Sequence, residues 1–266
     1  MSRTRNLGFT LVELTVVLVI VALLIGGLLV PLSTQQDIRS RQETEKSLSE
    51  IKEALIGYAA INGRLPCPAD RSVATGTASA GTESVTAVGG PCSCTTAASG
   101  IAGPGAICND TAPESITGAI PWASLGLRES DAWGQRYTYR VTTRFARLAN
   151  SQTDFACTPP SNPVSAAFAL CSQGDMTIRI TAGGTAIASN VPAVIVSHGR
   201  NSQGGFMTNG TQIAGAAGDE LENADSDADF VSKSAVDNSA NPYDDITVWL
   251  TPNVLMNRMI AVGRLP

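Results

Sequence analysis

The sequence has few aromatic residues, a single histidine and no excess of positive charge. Aromatic residues make up 5% of the 266 residues, while Gly, Ala, Ser and Thr are abundant, so we expect a loop-rich fold with a modest core. The formal net charge of −5 gives no electrostatic footprint for nucleic acid. The sequence also lacks a phosphate-binding loop, a dinucleotide-binding fingerprint and an HExxH motif. These absences argue against a nucleic-acid-binding protein and against an enzyme.

The single histidine, His198, follows Ser197 directly. Neighbouring residues of a strand point to opposite faces, so these two side chains are badly placed to act as a catalytic pair. We therefore expect His198 to be a surface or strand-end residue without a catalytic role.

The first 33 residues combine a short basic segment with a long apolar run. Arg3 and Arg5 precede residues 9–33, and this run holds one charge, Glu13. The run is long enough to cross a bilayer as a helix, and the positive-inside rule leaves the N-terminus in the cytoplasm. A secretory signal has a shorter apolar region that ends at a small-residue cleavage site. A plain signal anchor does not explain a costly carboxylate within a spanning helix.

Residues 8–14 read GFTLVEL, which closely resembles the prepilin cleavage and methylation motif of type IV pilins and type II secretion pseudopilins. The resemblance implies that a prepilin peptidase cuts between Gly8 and Phe9 and methylates the new N-terminal Phe9. It also implies that Glu13 pairs with the N-terminal amine of a neighbouring subunit. Two charges in a dry fibre core are tolerable only together, which agrees with that role.

The same resemblance implies where the chain works. It implies a single-pass protein of the bacterial inner membrane with a periplasmic head, which later joins a pilus or pseudopilus. The implied partners are other pilin or pseudopilin subunits, the prepilin peptidase and an inner-membrane assembly platform. The expected function is a structural one, as a minor pilin or pseudopilin. The alternatives are a pilus-tip adhesin or uptake subunit that binds through the loop at about 69–119, and a membrane-tethered enzyme.

We expect three parts along the chain. Residues 1–8 form a leader peptide, and residues 9–61 form a stem helix whose first part, about 9–32, is transmembrane. Residues 62–266 form a pilin-like globular head outside the cytoplasm. The head carries a loop insertion at about 69–119, because this stretch is dominated by Ala, Gly, Ser and Thr and shows neither a helical nor a strand period.

The second half of the stem helix is predicted to be amphipathic. Apolar residues recur there at helical spacing with charged residues between them, at Ile38, Leu48, Ile51, Leu55 and Tyr58. Pro31 and the glycine pair before it favour a kink or a melted turn, and Asn62-Gly63 marks the helix end. The apolar face needs a partner surface, which we expect to be the head.

Four segments after the stem have the alternation or the apolar character of strands. They are residues 136–141, 176–180, 193–196 and 246–250, and residues 253–262 form a short helix or an extended tail. The predicted fold class is α+β. A long N-terminal helix, membrane-spanning in its first half and amphipathic in its second, packs on an antiparallel β-sheet head with a long disulfide-containing loop.

Residues 131–139 resemble the D-P-W-G-x-x-Y-x-Y signature of major pseudopilins, with Ala132 where the proline usually stands. We interpret the segment as a structural corner, in which Asp131 caps a turn and Trp133 packs against the stem. An aromatic ligand site is the disfavoured alternative, because Trp and Tyr beside strands are usually core residues. Residues 62–68, NGRLPCP, resemble a prepilin-like subgroup and close the stem.

An even number of cysteines suggests disulfides in an exported chain. The six are Cys67, Cys92, Cys94, Cys108, Cys157 and Cys171. Cys157 and Cys171 flank a proline-containing excursion that a disulfide between them would close, whereas Cys92 and Cys94 are too close to pair with each other. The other pairings stay open. Zinc is disfavoured, because a single C-x-C without a CxxC or a nearby His suits tetrahedral ligation poorly.

An acidic stretch near the C-terminus is the candidate metal site, although no cofactor is required. Its order of glycine turn, acidic loop, Asp-Asp-Ile and Trp resembles the calcium-binding loop of major pseudopilins. The candidate calcium ligands are Asp225, Asp227, Asp229, Asp244 and Asp245. An EF-hand is rejected, because Phe230 stands at the glycine position and Val236 at the position of the bidentate Glu. A calcium loop of another kind and a solvated acidic loop are the two remaining interpretations.

Overall fold

The structure is a computed structural model of the chain. It describes residues 10–85, 92–94, 106–107, 115–148, 157, 165–225, 227–237 and 241–266, without the side chains of residues 25–34, 93, 94, 106, 107 and 115. The chain divides into two compact units, Met1–Gln42 and Glu43–Pro266. The predicted leader and much of the predicted loop insertion lie outside the described residues.

The longest element is the helix α1, Leu11–Asn62. It ends where the sequence predicts, as Gly63 adopts a φ of +73° and donates its N–H to the Ala59 carbonyl at 2.8 Å. The helix continues through Pro31 and the glycine pair before it, so the prediction of a melted turn is wrong. Among the described residues, no helix is both long enough and apolar enough to span a membrane.

The remaining elements all follow α1 and are mostly short. The helices are α2 (Trp122–Leu125), α3 (Thr143–Ala146), α4 (Asp219–Glu222) and α5 (Pro252–Ala261). The strands are β1 (Ser93–Cys94), β2 (Ala106–Ile107), β3 (Ser115–Ala119), β4 (Gln135–Arg136), β5 (Thr138–Thr142), β6 (Met176–Arg179), β7 (Ala186–Val191), β8 (Ala193–Ser197), β9 (Phe206–Met207), β10 (Asp229–Val231) and β11 (Ile246–Leu250).

The main sheet has four antiparallel strands in the order β11-β8-β5-β3. In the β11–β8 pair, Ile246 lies opposite Ser197 and Leu250 opposite Ala193. The strands β5, β8 and β11 were predicted from alternation or from apolar runs, and these predictions are confirmed. β3 was not predicted, because it lies in the stretch assigned to the loop. The mixture of helix and antiparallel sheet confirms the α+β class.

A second sheet has three strands in the order β10-β6-β7. The strands β6 and β7 are antiparallel, but β10 pairs parallel to β6, with Phe230 opposite Ile178. The prediction of a purely antiparallel head is therefore wrong for this second sheet. β10 has three residues and begins in the acidic stretch, so it carries little strand signal of its own. Two-residue pairings join β1 to β2 and β4 to β9.

Strand β8 lies between two hydrophobic cores. Ala193 and Ile195 join the core formed with α1 and α5, whereas Val194 and Val196 join the core formed with β6 and β10. Successive side chains of a strand point to opposite faces, so both faces of β8 are buried. This explains why its sequence is a continuous apolar run without polar alternation.

The part of α1 in the second unit buries one face in the first of these cores. Its buried apolar residues follow a helical stripe and are Leu48, Ile51, Leu55, Ile56 and Ala59. The amphipathic prediction is confirmed from Leu48 onwards. It is wrong for Ile38, which belongs to the first unit and is 52% exposed.

Candidate functional site

The first turn of α1 carries a reciprocal capping arrangement. Thr10 donates its N–H and its hydroxyl to Oε2 of Glu13, at 2.9 and 2.8 Å. Glu13 donates its own N–H to Oγ1 of Thr10 at 3.3 Å. A T-x-x-E sequence brings these groups together, because the N-cap side chain and the third helical residue satisfy each other's backbone N–H. Gly8 and Phe9, the predicted cleavage residues, lie outside the described residues.

Exposed apolar side chains follow this turn along α1. They are 43–79% exposed and are Leu11, Val12, Leu14, Val16, Val17, Leu18, Val19, Ile20, Val21, Leu23 and Leu24. Six consecutive exposed residues from Val16 to Val21 cover every side of the helix. A helix that is apolar all round requires apolar surroundings, which lipid or other protein chains supply.

The segment at Asp131 is a structural corner, as the sequence predicts. Oδ1 of Asp131 accepts the N–H groups of Trp133 at 3.0 Å and of Gln135 at 2.9 Å. Gly134 adopts a φ of +85°, which a residue with a Cβ rarely adopts. Trp133 is partly buried against the core that contains the second half of α1. The corner therefore orients β4 and β5.

The segment NGRLPCP is held by Glu83, a residue that sequence reasoning missed. Oε1 of Glu83 accepts from Arg64 Nη1 at 2.8 Å and from the N–H of Cys67 at 2.6 Å. Oε2 of Glu83 accepts from the Tyr58 hydroxyl at 2.6 Å. One partly buried carboxylate thus ties the end of α1 to the chain that follows it, and this arrangement suits structure rather than chemistry.

Two disulfides are present in the described residues, Cys67–Cys92 and Cys157–Cys171. The second closes the proline-containing excursion, and the first gives Cys92 a partner other than Cys94, as expected. Cys108 and the side chain of Cys94 lie outside the described residues.

The aspartates of the acidic loop bond within the loop and to arginine. Oδ1 of Asp225 accepts the N–H of Asp227 at 3.1 Å, and Oδ1 of Asp227 accepts the N–H of Asp229 at 2.7 Å. Asp229 pairs with Nε of Arg179 at 3.2 Å. The structure does not gather these three aspartates with the other two predicted calcium ligands.

A different carboxylate joins those two ligands. Glu220, Asp244 and Asp245 each offer one oxygen, and these oxygens lie within 4.8 Å of one another. Helix α4 supplies Glu220, and Asp244 and Asp245 directly precede β11. Asn201 connects them, because its Nδ2 donates to Oε1 of Glu220 at 2.8 Å and its N–H to Oδ2 of Asp244 at 2.9 Å. We call Glu220, Asp244 and Asp245 the carboxylate cluster.

Burial shifts the pKa of two carboxyls of the carboxylate cluster. It raises the pKa of Glu220 and holds the pKa of Asp245 well above its usual range, and the neighbouring carboxylates add to both shifts. Asn223 donates to Oδ2 of Asp245 at 2.8 Å. Oδ1 of Asp245 is buried and has no hydrogen-bond partner among the described residues. A buried orphaned oxygen beside two further carboxylates fits a hard cation.

His198 directly follows β8, next to the carboxylate cluster, and is buried, so it is a strand-end residue and the surface alternative is wrong. Its Nε2 is 2.9 Å from Oγ1 of Thr138, and its Nδ1 is 3.8 Å from Oδ1 of Asp245, too far for a hydrogen bond. Burial, and then Arg71, lower the pKa of His198 to about 3, so the imidazole is neutral at pH 7. Ser197 instead donates to Oδ2 of Asp131 at 2.6 Å. The two neighbours contact different partners, and the geometry contains no Ser–His pair.

Glu220 is the cluster residue that sequence reasoning left out of the ligand set. It stands in the acidic stretch, but 24 positions separate it from Asp244. The signal that sets it apart is its place in a helix, where it is fully buried while Leu221 beside it is exposed. That contrast is visible only in the fold.

Residues 3–29 match the family model of the prokaryotic N-terminal methylation motif. This match confirms the motif predicted from residues 8–14 and supports a membrane-associated precursor of the type IV pilin or pseudopilin kind. No curated protein and no solved structure matches the chain significantly. The similarity of the head to major pseudopilins stays a prediction from the residues quoted above.

Proposed function

We propose that the chain is a structural subunit, a minor pilin or pseudopilin, of a type IV pilus or a type II secretion pseudopilus. The observation that carries the proposal is the methylation motif at residues 3–29, which leads into a helix with exposed apolar side chains. Such a helix can lie first in lipid and then among neighbouring stems, because both surroundings are apolar. The long, cysteine-bearing head favours a minor or specialised subunit over a major one.

In this proposal a prepilin peptidase cuts between Gly8 and Phe9 and methylates the new amine. The run of residues 9–33 stays on the product and holds it in the inner membrane, with the head in the periplasm. Mass spectrometry of the membrane fraction tests this step, and the expected mature N-terminus is N-methylphenylalanine. A chain that still begins at Met1 in a host with the peptidase would contradict the proposal.

Assembly then depends on Glu13. In a fibre core without water, its carboxylate is stabilised by the N-terminal amine of a neighbouring subunit, which sets the register between the two helices. The inner-membrane assembly platform and other pilin or pseudopilin subunits are the partners in this step. We expect no nucleic-acid partner for the head, because the chain is acidic overall.

We further propose that the head binds calcium at the carboxylate cluster rather than at Asp225, Asp227 and Asp229. The buried, orphaned Oδ1 of Asp245 supports this choice. The aspartates of the acidic loop instead bond within the loop or pair with Arg179. Calcium would neutralise carboxylates that burial and mutual repulsion keep from ionising easily. Calcium would stabilise the residues of the head that directly precede β11.

A further inference from the structure

We infer that the head binds a divalent transition-metal ion such as Zn²⁺ between Nδ1 of His198 and Oδ1 of Asp245. This site shares Asp245 with the proposed calcium site but takes a different class of cation, so the two cations compete. The inference uses the carboxylate cluster and does not depend on calcium binding there.

Two buried polar atoms without partners lie close together beside the carboxylate cluster. Neither Nδ1 of His198 nor Oδ1 of Asp245 has a hydrogen-bond partner among the described residues, and both side chains are 0% exposed. The two atoms are 3.8 Å apart, which is too far for a hydrogen bond. Because folded proteins rarely leave buried polar atoms unsatisfied, the pair indicates a ligand that contacts both atoms.

The other polar atom of each side chain is held by the fold. Nε2 of His198 is 2.9 Å from Oγ1 of Thr138, which can accept its proton and leave the lone pair on Nδ1. Oδ2 of Asp245 accepts from Nδ2 of Asn223 at 2.8 Å. A metal-bound histidine is usually fixed in this way, by a hydrogen bond at its second ring nitrogen. The backbone at Gly205 also packs on the ring, because a Cβ there would lie 3.2 Å from Cδ2 of His198.

The distance and the donor atoms indicate the class of cation. Zinc binds a histidine nitrogen at about 2.0–2.1 Å and a carboxylate oxygen at about 2.0–2.2 Å. Together these lengths exceed the 3.8 Å separation, so one ion can contact both atoms. Oxygens of Glu220 and Asp244 lie within 4.8 Å of an Asp245 oxygen and offer further ligands. Calcium takes oxygen ligands, whereas imidazole suits zinc and related transition metals.

The surrounding charges and the burial are compatible with a cation. Arg71 is a positive group that acts on His198, and its guanidinium stacks over the Phe206 ring at 4.4 Å from the centroid. Once ionised, the three carboxylates of the cluster outweigh the single charge of Arg71. Asp244 is the partly exposed member of the cluster, so an ion can reach the buried donor atoms past its side chain.

The test uses the full chain in detergent, without a histidine tag, stripped of metals and labelled with ¹⁵N at histidine. The sequence contains one histidine, so the ring resonances report on His198 alone. We expect Zn²⁺ to shift the Nδ1 resonance while Nε2 keeps its proton, and Ca²⁺ to cause a much smaller shift. An Nδ1 resonance that does not move with Zn²⁺ would overturn the inference, and water would then satisfy the two atoms. An equal shift with Ca²⁺ would overturn the assignment to transition metals.

Two substitutions locate the site. His198→Gln should weaken Zn²⁺ binding by more than about tenfold, because loss of a ligand costs at least as much as loss of an outer partner. It should keep the Ca²⁺ affinity within about twofold, since calcium does not use the imidazole. Asp227→Asn, the matched control in the acidic loop, should change neither affinity. Unchanged Zn²⁺ affinity in His198→Gln would contradict the inference. The proposed calcium site fails on a separate result, which is a Tm that does not rise with calcium.

Discussion

Carboxylates lie in two contrasting settings, at the start of α1 and in the carboxylate cluster of the head. Glu13 is exposed, and its partner within the chain is three residues away. Glu220 and Asp245 are buried, and residues far apart in sequence bring them together. The first setting is a local motif, which the proposed function completes with the amine of another chain. The second is a product of folding, which the proposed function completes with a calcium ion.

The largest effect is expected at the first setting. Glu13→Ala should leave the chain in the membrane but lower its fibre fraction by more than about tenfold, because the amine of the neighbouring subunit is then left unpaired in apolar surroundings. Glu50→Ala is the matched control, since Glu50 is exposed and pairs with Lys46 at 3.8 Å on the surface of α1. Fractionation of membranes and sheared fibres measures both variants. Equal fibre fractions for Glu13→Ala and Glu50→Ala would contradict the special role of Glu13 in assembly.

The second largest effect is expected from calcium binding at the carboxylate cluster. Calcium at about a hundredfold excess over its Kd should stabilise the chain by about 2.7 kcal/mol, seen as a higher Tm in detergent. Glu220→Gln should abolish the shift, and Asp227→Asn, the matched control in the acidic loop, should keep it. If Asp227→Asn abolishes the shift and Glu220→Gln keeps it, the ligands predicted from sequence are the right ones.

A smaller effect is expected from His198. Its pKa of about 3 in the folded chain lies below the unfolded value of about 6.5, so below pH 6.5 the unfolded chain binds a proton that the folded chain does not. Stability is therefore full above about pH 6.5 and falls as the pH decreases towards about 3. His198→Gln keeps an amide for Thr138 and should flatten this dependence. Urea unfolding at pH 7.5 and 5 measures it, and an unchanged slope would count against the buried neutral imidazole.

The smallest effect is expected from Asp245 without calcium. Because its folded pKa is raised, the folded chain keeps a proton that the unfolded chain releases above about pH 3.9. Calcium-free stability then falls as the pH rises from there towards the raised pKa. Asp245→Asn imitates the protonated acid and should gain about 1 kcal/mol at pH 7.5, or about 2–4 °C in Tm. A lower Tm would show that the carboxylate is already compensated.

Sequence reasoning succeeded where neighbouring residues carry the signal. The methylation motif, the end of α1 at Gly63 and the strands β5, β8 and β11 all depend on a few consecutive residues. It failed for Ile38, because helical periodicity does not say where along α1 the packing against the sheet begins. It also failed for β10 and for Glu220. Their roles come from pairing with β6 and with Asp244, which are distant in sequence, and no local pattern encodes such contacts.

The position of β8 has a consequence for how the head opens. The strand is hydrogen-bonded on both sides and contributes side chains to both cores. Local unfolding that opens one of the two cores leaves the backbone amides of β8 protected by the other core. Hydrogen exchange at Val194 to Val196 should therefore require global unfolding, which makes these amides reporters of the cooperativity of the whole head.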